Sequence, residues 1–425
     1  MLAVLRNRNF ALLWSGQFIS IMGDWLLVLA LPFYIFDLTH SILATGGMFI
    51  AVSVPRLLLG SLAGVFADRW NRRTIMIVTD LLRAGILLLL LLVHSVAWLW
   101  LIYAVALLES AVSQFFLPAK SALLPQIVKP AQLLAANSLD SLSEAITRLI
   151  GPTIGGALYA FFGINSIIAL DSTSYLLSAL LIFLLVMQPL VTPATNEEEP
   201  VEAAVQSTAA LAAWGKIWQE LVDGLRIVLH NRLVLTIFIG IGVMMIGEGI
   251  IEVLLVGFAK VVLHGDASTL GWILSAQGIG TLLGSLINKP LSMRVPPRIL
   301  IPLTFSLSGI LFIGLVNTPN FIFALGLMAL IGLCFVLAMV TAQTLIQQSI
   351  DGSYLGRVFG SYNTTLSLLV LIGMGIASAL TGLLGIVPLL DIAGATFILT
   401  ALIFLRMPNV TITQEVPAVP EPTLV

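Results

Sequence analysis

Asp24, Arg56, Glu109, Glu144, Arg148, Glu248 and Glu252 all fall inside long apolar runs. An ionisable side chain at such a depth is costly and is by default a functional candidate. The chemistry open to these residue types is the uptake and release of protons and the holding of charged groups. At 1.5 Å per residue, Asp24 lies roughly 20 Å and Arg56 roughly 15 Å from the same end of their helices. An Asp24–Arg56 ion pair is therefore expected, with either a functional or a purely structural role. Asp140, Glu144 and Arg148 recur every fourth residue and share a helix face. Glu144 and Arg148 are placed to neutralise each other, and Asp140 is near enough to the surface to be solvated. Glu248 and Glu252 lie one turn apart with no arginine or lysine close in sequence. Two such carboxylates repel when both are ionised, which suits them to sharing one proton. Asp171 and Asp391 fall close to the ends of their runs and read as solvated or capping residues.

The elements that carry these residues are membrane helices. The 425 residues are 59% hydrophobic and only 9% charged, against roughly 25% charged in soluble proteins. Spans are expected near 10–36, 42–66, 75–93, 97–118, 133–162, 164–187, 233–259, 268–289, 299–317, 320–346, 357–384 and 387–406. One set of alternate loops carries Arg69, Arg72, Arg73, Lys120, Lys129, Lys216, Arg226, Arg294 and Arg298. The other set offers essentially Lys260. Lysine and arginine mark the cytoplasmic side, so both termini are expected there. The first helix should remain as an anchor, because no cleavage site follows it.

Other chemistries find no support. The single cysteine, Cys334, excludes an internal disulfide. His40, His94, His230 and His264 all fall in loops or at span ends. There is no Cys/His cluster for a metal or haem and no Gly-rich phosphate loop. No cofactor is expected, and neither an enzyme nor an ATP-driven pump.

The chain is internally repeated. Gly23-Asp24 and Gly247-Glu248 lie 224 residues apart, and Leu58–Leu62 matches Leu282–Leu286 at the same offset. Later the offset slips to 222, where Gly151 falls on Gly373 and Gly163-Ile164 on Gly385-Ile386. Between the halves, prolines and the run Glu197-Glu198-Glu199 mark a linker. Leu211, Trp214, Trp218, Leu221, Leu225 and Val228 then predict an amphipathic interfacial helix. The expected domains are 1–187 and 233–408 as six-helix bundles, 188–232 as the linker, and 409–425 as an unstructured tail.

One charged turn is more specific. Gly64, Asp68, Arg69, Arg72 and Arg73 match in register the loop after the second helix of the major facilitator superfamily, and the chain resembles that superfamily over nearly its whole length. Asn71 stands where the family has glycine; asparagine tolerates a left-handed backbone, which would keep the turn. Asp68 follows the C-terminus of its own helix, where the macrodipole disfavours it. By resemblance it serves the start of the eleventh helix near Arg357. Gly151, Pro152, Gly155 and Gly156 form the Gly-Pro-x-x-Gly-Gly element that the family's exporters carry in the fifth helix. The residues from Pro118 to Asn137 look like the macrolide-efflux and enterobactin-exporter branch. Drug exporters of the family often hold an arginine in the fourth span. This chain has Glu109 there, so Arg56 or Arg148 would have to substitute.

The resemblance implies an all-α polytopic membrane protein with twelve transmembrane helices in two pseudo-symmetric six-helix bundles. It implies proton-coupled export of a mid-sized organic molecule, such as a drug, antibiotic or siderophore, from the cytoplasmic (inner) membrane. The alternative is a lysophospholipid transporter or flippase of the same fold. The expected partners are the lipid bilayer and a small-molecule substrate, with no nucleic acid, and the expected state is a monomer.

Overall fold

The computed structural model describes residues 2–186, 222, 224–318, 320–350 and 352–408, without the side chains of 2–3, 60–69 and 352–353. Most of the expected linker and the expected tail therefore lie outside the described residues. The helices are α1 (Arg8–Thr39), α2 (Ile42–Arg69), α3 (Arg72–Leu88), α4 (Leu99–Ser113), α5 (Phe116–Ile127) and α6 (Leu133–Phe183), then α7 (Arg232–Gly257), α8 (Ala267–Ser292), α9 (Pro297–Asn317), α10 (Phe321–Ser349), α11 (Gly352–Leu384) and α12 (Ile386–Phe404). Together α4 and α5 make the fourth span. α6 makes the fifth and sixth, because the backbone breaks at Gly163 (φ 72°, ψ −178°). Twelve membrane crossings result, as the sequence predicts. We call the end that bears Arg72 and Arg73 the basic end, and the opposite one the far end.

Helix starts follow local chemistry. Asn7, Asn71, Asn231, Asp266 and Asn320 each accept a hydrogen bond from a backbone N–H of the first turn. This satisfies donors that the helix itself cannot. Asn71 therefore acts as an N-cap in extended backbone (φ −64°, ψ 111°). The expected left-handed turn is not formed, because starting α3 needs a side-chain acceptor rather than a positive φ.

The repeat is visible in the backbone. His40 and His264 are the positive-φ non-glycine residues among those described, and Gly163 and Gly385 the positive-φ glycines. Each pair is related by the repeat offset. Histidine is among the side chains that reach the left-handed region most readily. The conformation of the two glycines, φ near +80° with ψ near 180°, is essentially closed to other residues. A third pair concerns hydrogen bonding. Asn7 donates to the Ile127 carbonyl (2.6 Å) and Asn231 to the Ser349 carbonyl (3.3 Å), tying the first helix of each half to the end of its fourth span.

The two cores differ. In the C-terminal half, Ile237, Ile241, Phe305, Phe397 and Phe404 belong to one continuous apolar cluster. In the N-terminal half the apolar core is split. One cluster takes Phe10 from α1, Met76 from α3 and Phe116 from α5. Another takes Leu31 from α1, Leu87 from α3 and Ile102 from α4. Between them the same helices carry Asp24, Asp80 and Arg83, which belong to the site described next.

Candidate functional site

Arg83, midway along α3, is 6% exposed and is held by groups from three other elements. Its Nη2 donates to Asp24 Oδ1 of α1 at 3.0 Å, and its Nε donates to Glu109 Oε1 of α4 at 2.8 Å. The guanidinium carbon lies 4.0 Å from the ring centroid of Tyr175, on the second limb of α6. Arg83 also donates to the Tyr175 hydroxyl, which in turn donates to Asp24 and lies 3.2 Å from Glu109 Oε1. Two carboxylates and a phenol thus use the rigid fork of one guanidinium, the arrangement that makes a buried ion pair tolerable.

Two further carboxylates surround this cluster. Asp80, one turn before Arg83, and Asp171, one turn before Tyr175, are both 0% exposed. Among the described residues, no hydrogen bond within 3.5 Å reaches either oxygen of Asp80 or Oδ2 of Asp171. Ser174 donates to the other oxygen of Asp171 at 3.2 Å. The expectation that Asp171 is solvated or capping is therefore corrected. The second limb of α6 turns Asp171 inward toward α1 and α3, where Gly23 leaves room for it.

A cavity of about 400 Å³ opens beside the cluster. It is lined by Asp24, Arg83 and Glu109, and also by Arg56, Glu144 and Glu252. Glu252 is the C-terminal half's contribution; the rest of the lining belongs to the N-terminal half. Five of the expected site residues (Asp24, Arg56, Glu109, Glu144 and Glu252) line it. Glu248 and Arg148 lie outside its lining, although Arg148 acts electrostatically on Glu248 as Arg56 does on Glu252.

Four expectations change. Asp24 pairs with Arg83 of α3 at 3.0 Å rather than with Arg56 of α2. Arg83, not Arg56 or Arg148, is the arginine beside the fourth span. Glu144 and Arg148 share a helix face but form no ion pair within 4.0 Å among the described residues. Asp140 is not simply solvated: Lys120, placed inside α5 rather than in a loop, reaches it at 2.9 Å. The missed residues, Arg83, Tyr175 and Asp80, carried a signal. Arg83 and Asp80 lie inside an apolar span, the criterion that singles out Arg56.

The exporter-like motif is a contact between helices. Gly151 faces Trp25, and a Cβ at Gly155 would come within 2.9 Å of the Leu26 Cα. Gly156 abuts the backbone of Ala267 and Ser268 in the other half. There the Thr153 and Ser275 hydroxyls lie 2.6 Å apart, and Ser275 donates to the Leu149 carbonyl at 2.5 Å. At the far end Lys260, in a π-helical turn (Phe258–Val262), pairs with Asp37 at 2.5 Å. Tyr159 donates to the same carboxylate at 2.9 Å. These polar contacts join the halves in the middle and far parts of the spans.

In the charged turn, Arg73 donates to the carbonyls of Ile182 (3.2 Å) and Phe183. It thereby caps the C-terminus of α6, where the macrodipole favours a cation. Gly64, Asp68 and Arg69 lie in the last turns of α2, and their side chains are outside the described residues.

The chain thus forms two bundles of membrane helices, with a charged cavity lined chiefly by the N-terminal one. The profile of the transmembrane secretion effector family matches residues 1–423, and the chain belongs to that family, within the major facilitator superfamily. It is similar to the MFS-type transporter YfiS of Bacillus subtilis strain 168, at 28% identity over 95% of this chain and 94% of the relative. It is also similar to macrolide efflux protein A of Streptococcus pyogenes (22%; 93% and 95%). The enterobactin exporter EntS of Escherichia coli O127:H6 is a further relative (26%; 88% and 85%). The fold resembles that of a bacterial homologue of the iron transporter ferroportin in an inward-facing state, with a TM-score of 0.73 at 14% identity over 94% of this chain and 98% of the other.

Proposed function

We propose that this secondary transporter exports mid-sized organic molecules by alternating access, driven by protons entering the cell. The observation that carries the reading is the cavity wall shared by Asp24, Arg83 and Glu109 of one half and Glu252 of the other. A charged site in one bundle that the other bundle touches changes its surroundings when the bundles rock against each other. Export is the direction named for the macrolide and enterobactin relatives. The basic end is then cytoplasmic, with both termini, the 188–232 linker and the 409–425 tail on that side of the inner membrane. The bundles comprise 1–187 and 233–408, and the working unit is the monomer.

Within this reading Asp24 stays paired to Arg83, and Glu248 with Glu252 carries the proton. These two glutamates lie one turn apart on α7 and make no ion pair within 4.0 Å among the described residues. The test is Glu248→Gln in proteoliposomes with an imposed pH gradient. Uphill transport should be lost while substrate binding and downhill exchange persist. If Glu248→Gln still concentrates substrate and Asp24→Asn does not, the proton belongs to Asp24 and this assignment is wrong.

A further inference from the structure

Asp80 is a buried carboxylate that the Arg83 cluster leaves uncompensated. It is 0% exposed, and among the described residues no hydrogen bond within 3.5 Å reaches either of its oxygens. Arg83, one turn on, is already held by Asp24 at 3.0 Å and by Glu109 at 2.8 Å. An ionised carboxylate in such a place is costly unless a counter-charge and hydrogen bonds or metal ligation satisfy it.

The groups around Asp80 are short of donors as well. The Ser178 hydroxyl, on the second limb of α6, faces Asp80. Ser178 is 0% exposed, and among the described residues its Oγ makes no hydrogen bond within 3.5 Å. Gln17 of α1 is 8% exposed, and its Oε1 is likewise unreached. Two facing polar groups that do not bond directly call for something between them.

Three helices bring these oxygens to one level. A Cβ at Gly16 would lie 3.4 Å from Ser178 Oγ, and one at Gly23 would meet Asp171. The two contacts are seven residues apart on both helices and run in opposite directions, so Gln17 stands level with Ser178. Gln17 and Asp24 are seven residues, or two turns, apart and share the face of α1 that meets α3 through Arg83. Gln17, Asp80 and Ser178 therefore enclose one spot, a turn nearer the basic end than Arg83. Gln17 borders the cavity, whereas Asp80 and Ser178 lie outside its lining.

Four oxygens meet there: two of Asp80, one of Ser178 and one of Gln17. A proton on Asp80 would supply one donor to the set, and a water would supply two donors but no charge. A small metal cation supplies the counter-charge and takes several oxygens at once. Hard cations choose oxygen ligands of this kind. A single carboxylate among neutral oxygens balances one positive charge, not two.

We propose that Asp80, Ser178 and Gln17 form a sodium site inside the N-terminal half. The ion neutralises Asp80 and ties α1, α3 and the second limb of α6 together. The site stands apart from the export reading and from the glutamates of α7, because it concerns a resident ion whichever way the transporter runs.

The test uses the purified full-length protein in detergent, with sodium chloride replaced stepwise by choline chloride at constant ionic strength. Sodium should raise the unfolding midpoint saturably, because an ion that binds only the folded chain stabilises it by mass action. Radioactive sodium bound to the same protein should follow the same curve. Asp80→Asn keeps the shape and removes the charge. Without sodium it should unfold at or above the wild-type midpoint, and sodium should no longer move it. Ser178→Ala should unfold like the wild type without sodium and need several-fold more sodium for the same rise. The wild-type and Ser178→Ala titrations stand whether or not Asp80→Asn folds. A wild-type midpoint as high in choline as in sodium, or a sodium response that survives in Asp80→Asn, overturns the inference. So does a midpoint that follows pH and ignores sodium, which would assign the neutralising charge to a proton; Arg83 and Asp24 are the other charges that act on Asp80.

Discussion

The two halves share a scaffold and differ in what fills it. Aligned at the repeat offsets, Asp24 corresponds to Glu248, Asp80 to Thr304, Arg83 to Leu307, Asp171 to Ala393 and Tyr175 to Phe397. Where the N-terminal half buries an arginine among carboxylates, the C-terminal half buries Ala393 and Phe397 in a continuous apolar core. Only the acidic residue on the first helix of each half persists. The backbone irregularities persist as well: His40 with His264, Gly163 with Gly385, and the asparagine ties to the fourth span. Helix ends and turns are constrained by backbone geometry, which few residues satisfy. Interior side chains need only fill space and balance charge, so they are free to diverge in kind. One half has become an electrostatic device and the other a packed support that presents Glu248 and Glu252.

The sharpest way to break the contrast is Arg83→Leu, which installs the residue of the other half. It leaves Asp24 and Glu109 buried without a counter-charge, and the expected loss is about 3–5 kcal/mol of stability, with transport abolished. Thermal unfolding in detergent reads the first and proteoliposome flux the second. The triple variant Asp24→Asn, Arg83→Leu, Glu109→Gln should recover most of the stability and none of the transport. An Arg83→Leu protein as stable as the wild type would mean that the cluster does not organise its half.

A second comparison substitutes the shared scaffold itself. Gly163→Ala and Gly385→Ala force a side chain into the same disallowed backbone, at a cost on the order of 1–3 kcal/mol each. Among the described residues nothing lies within 4 Å of a Cβ at Gly163, and only Pro388 at Gly385, so backbone strain should set the loss. Similar shifts in unfolding temperature are expected. A large difference between them would show that the repeat no longer imposes the same geometry on both halves.

The smallest effect concerns the contact between halves. Asp37 and Lys260 are about one-third exposed, so their pair is worth only about 0.5–1 kcal/mol. Asp37→Asn should loosen the far end and raise thiol labelling of Ile42→Cys, in a Cys334→Ala background, by about two- to fivefold. Asp391→Asn is the control. That carboxylate accepts from Asn317 within one half (2.7 Å) and should leave labelling unchanged.

Composition and hydropathy alone determined a helical membrane protein with twelve crossings, because a bilayer permits few other ways to satisfy an apolar backbone. The glycine, acidic and leucine matches at offsets of 224 and 222 made the repeat legible, whereas the histidine and asparagine pairs emerged from the backbone. Depth along a helix was also legible, and it placed Asp24, Arg56, Glu109, Glu144 and Glu252 at the level of the cavity. Partnership was not. Depth is one coordinate, and the pairing of Asp24 with Arg83 rather than Arg56 depends on which helices touch and how each is rotated about its axis. In lipid, nearly uniform apolar faces conceal that rotation, because an outward leucine and an inward one read alike. Asp171, Asp140 and Lys120 were misplaced for the same reason. Only the packed tertiary structure turns them inward, where an unpaired charge is costly and a partner must be found.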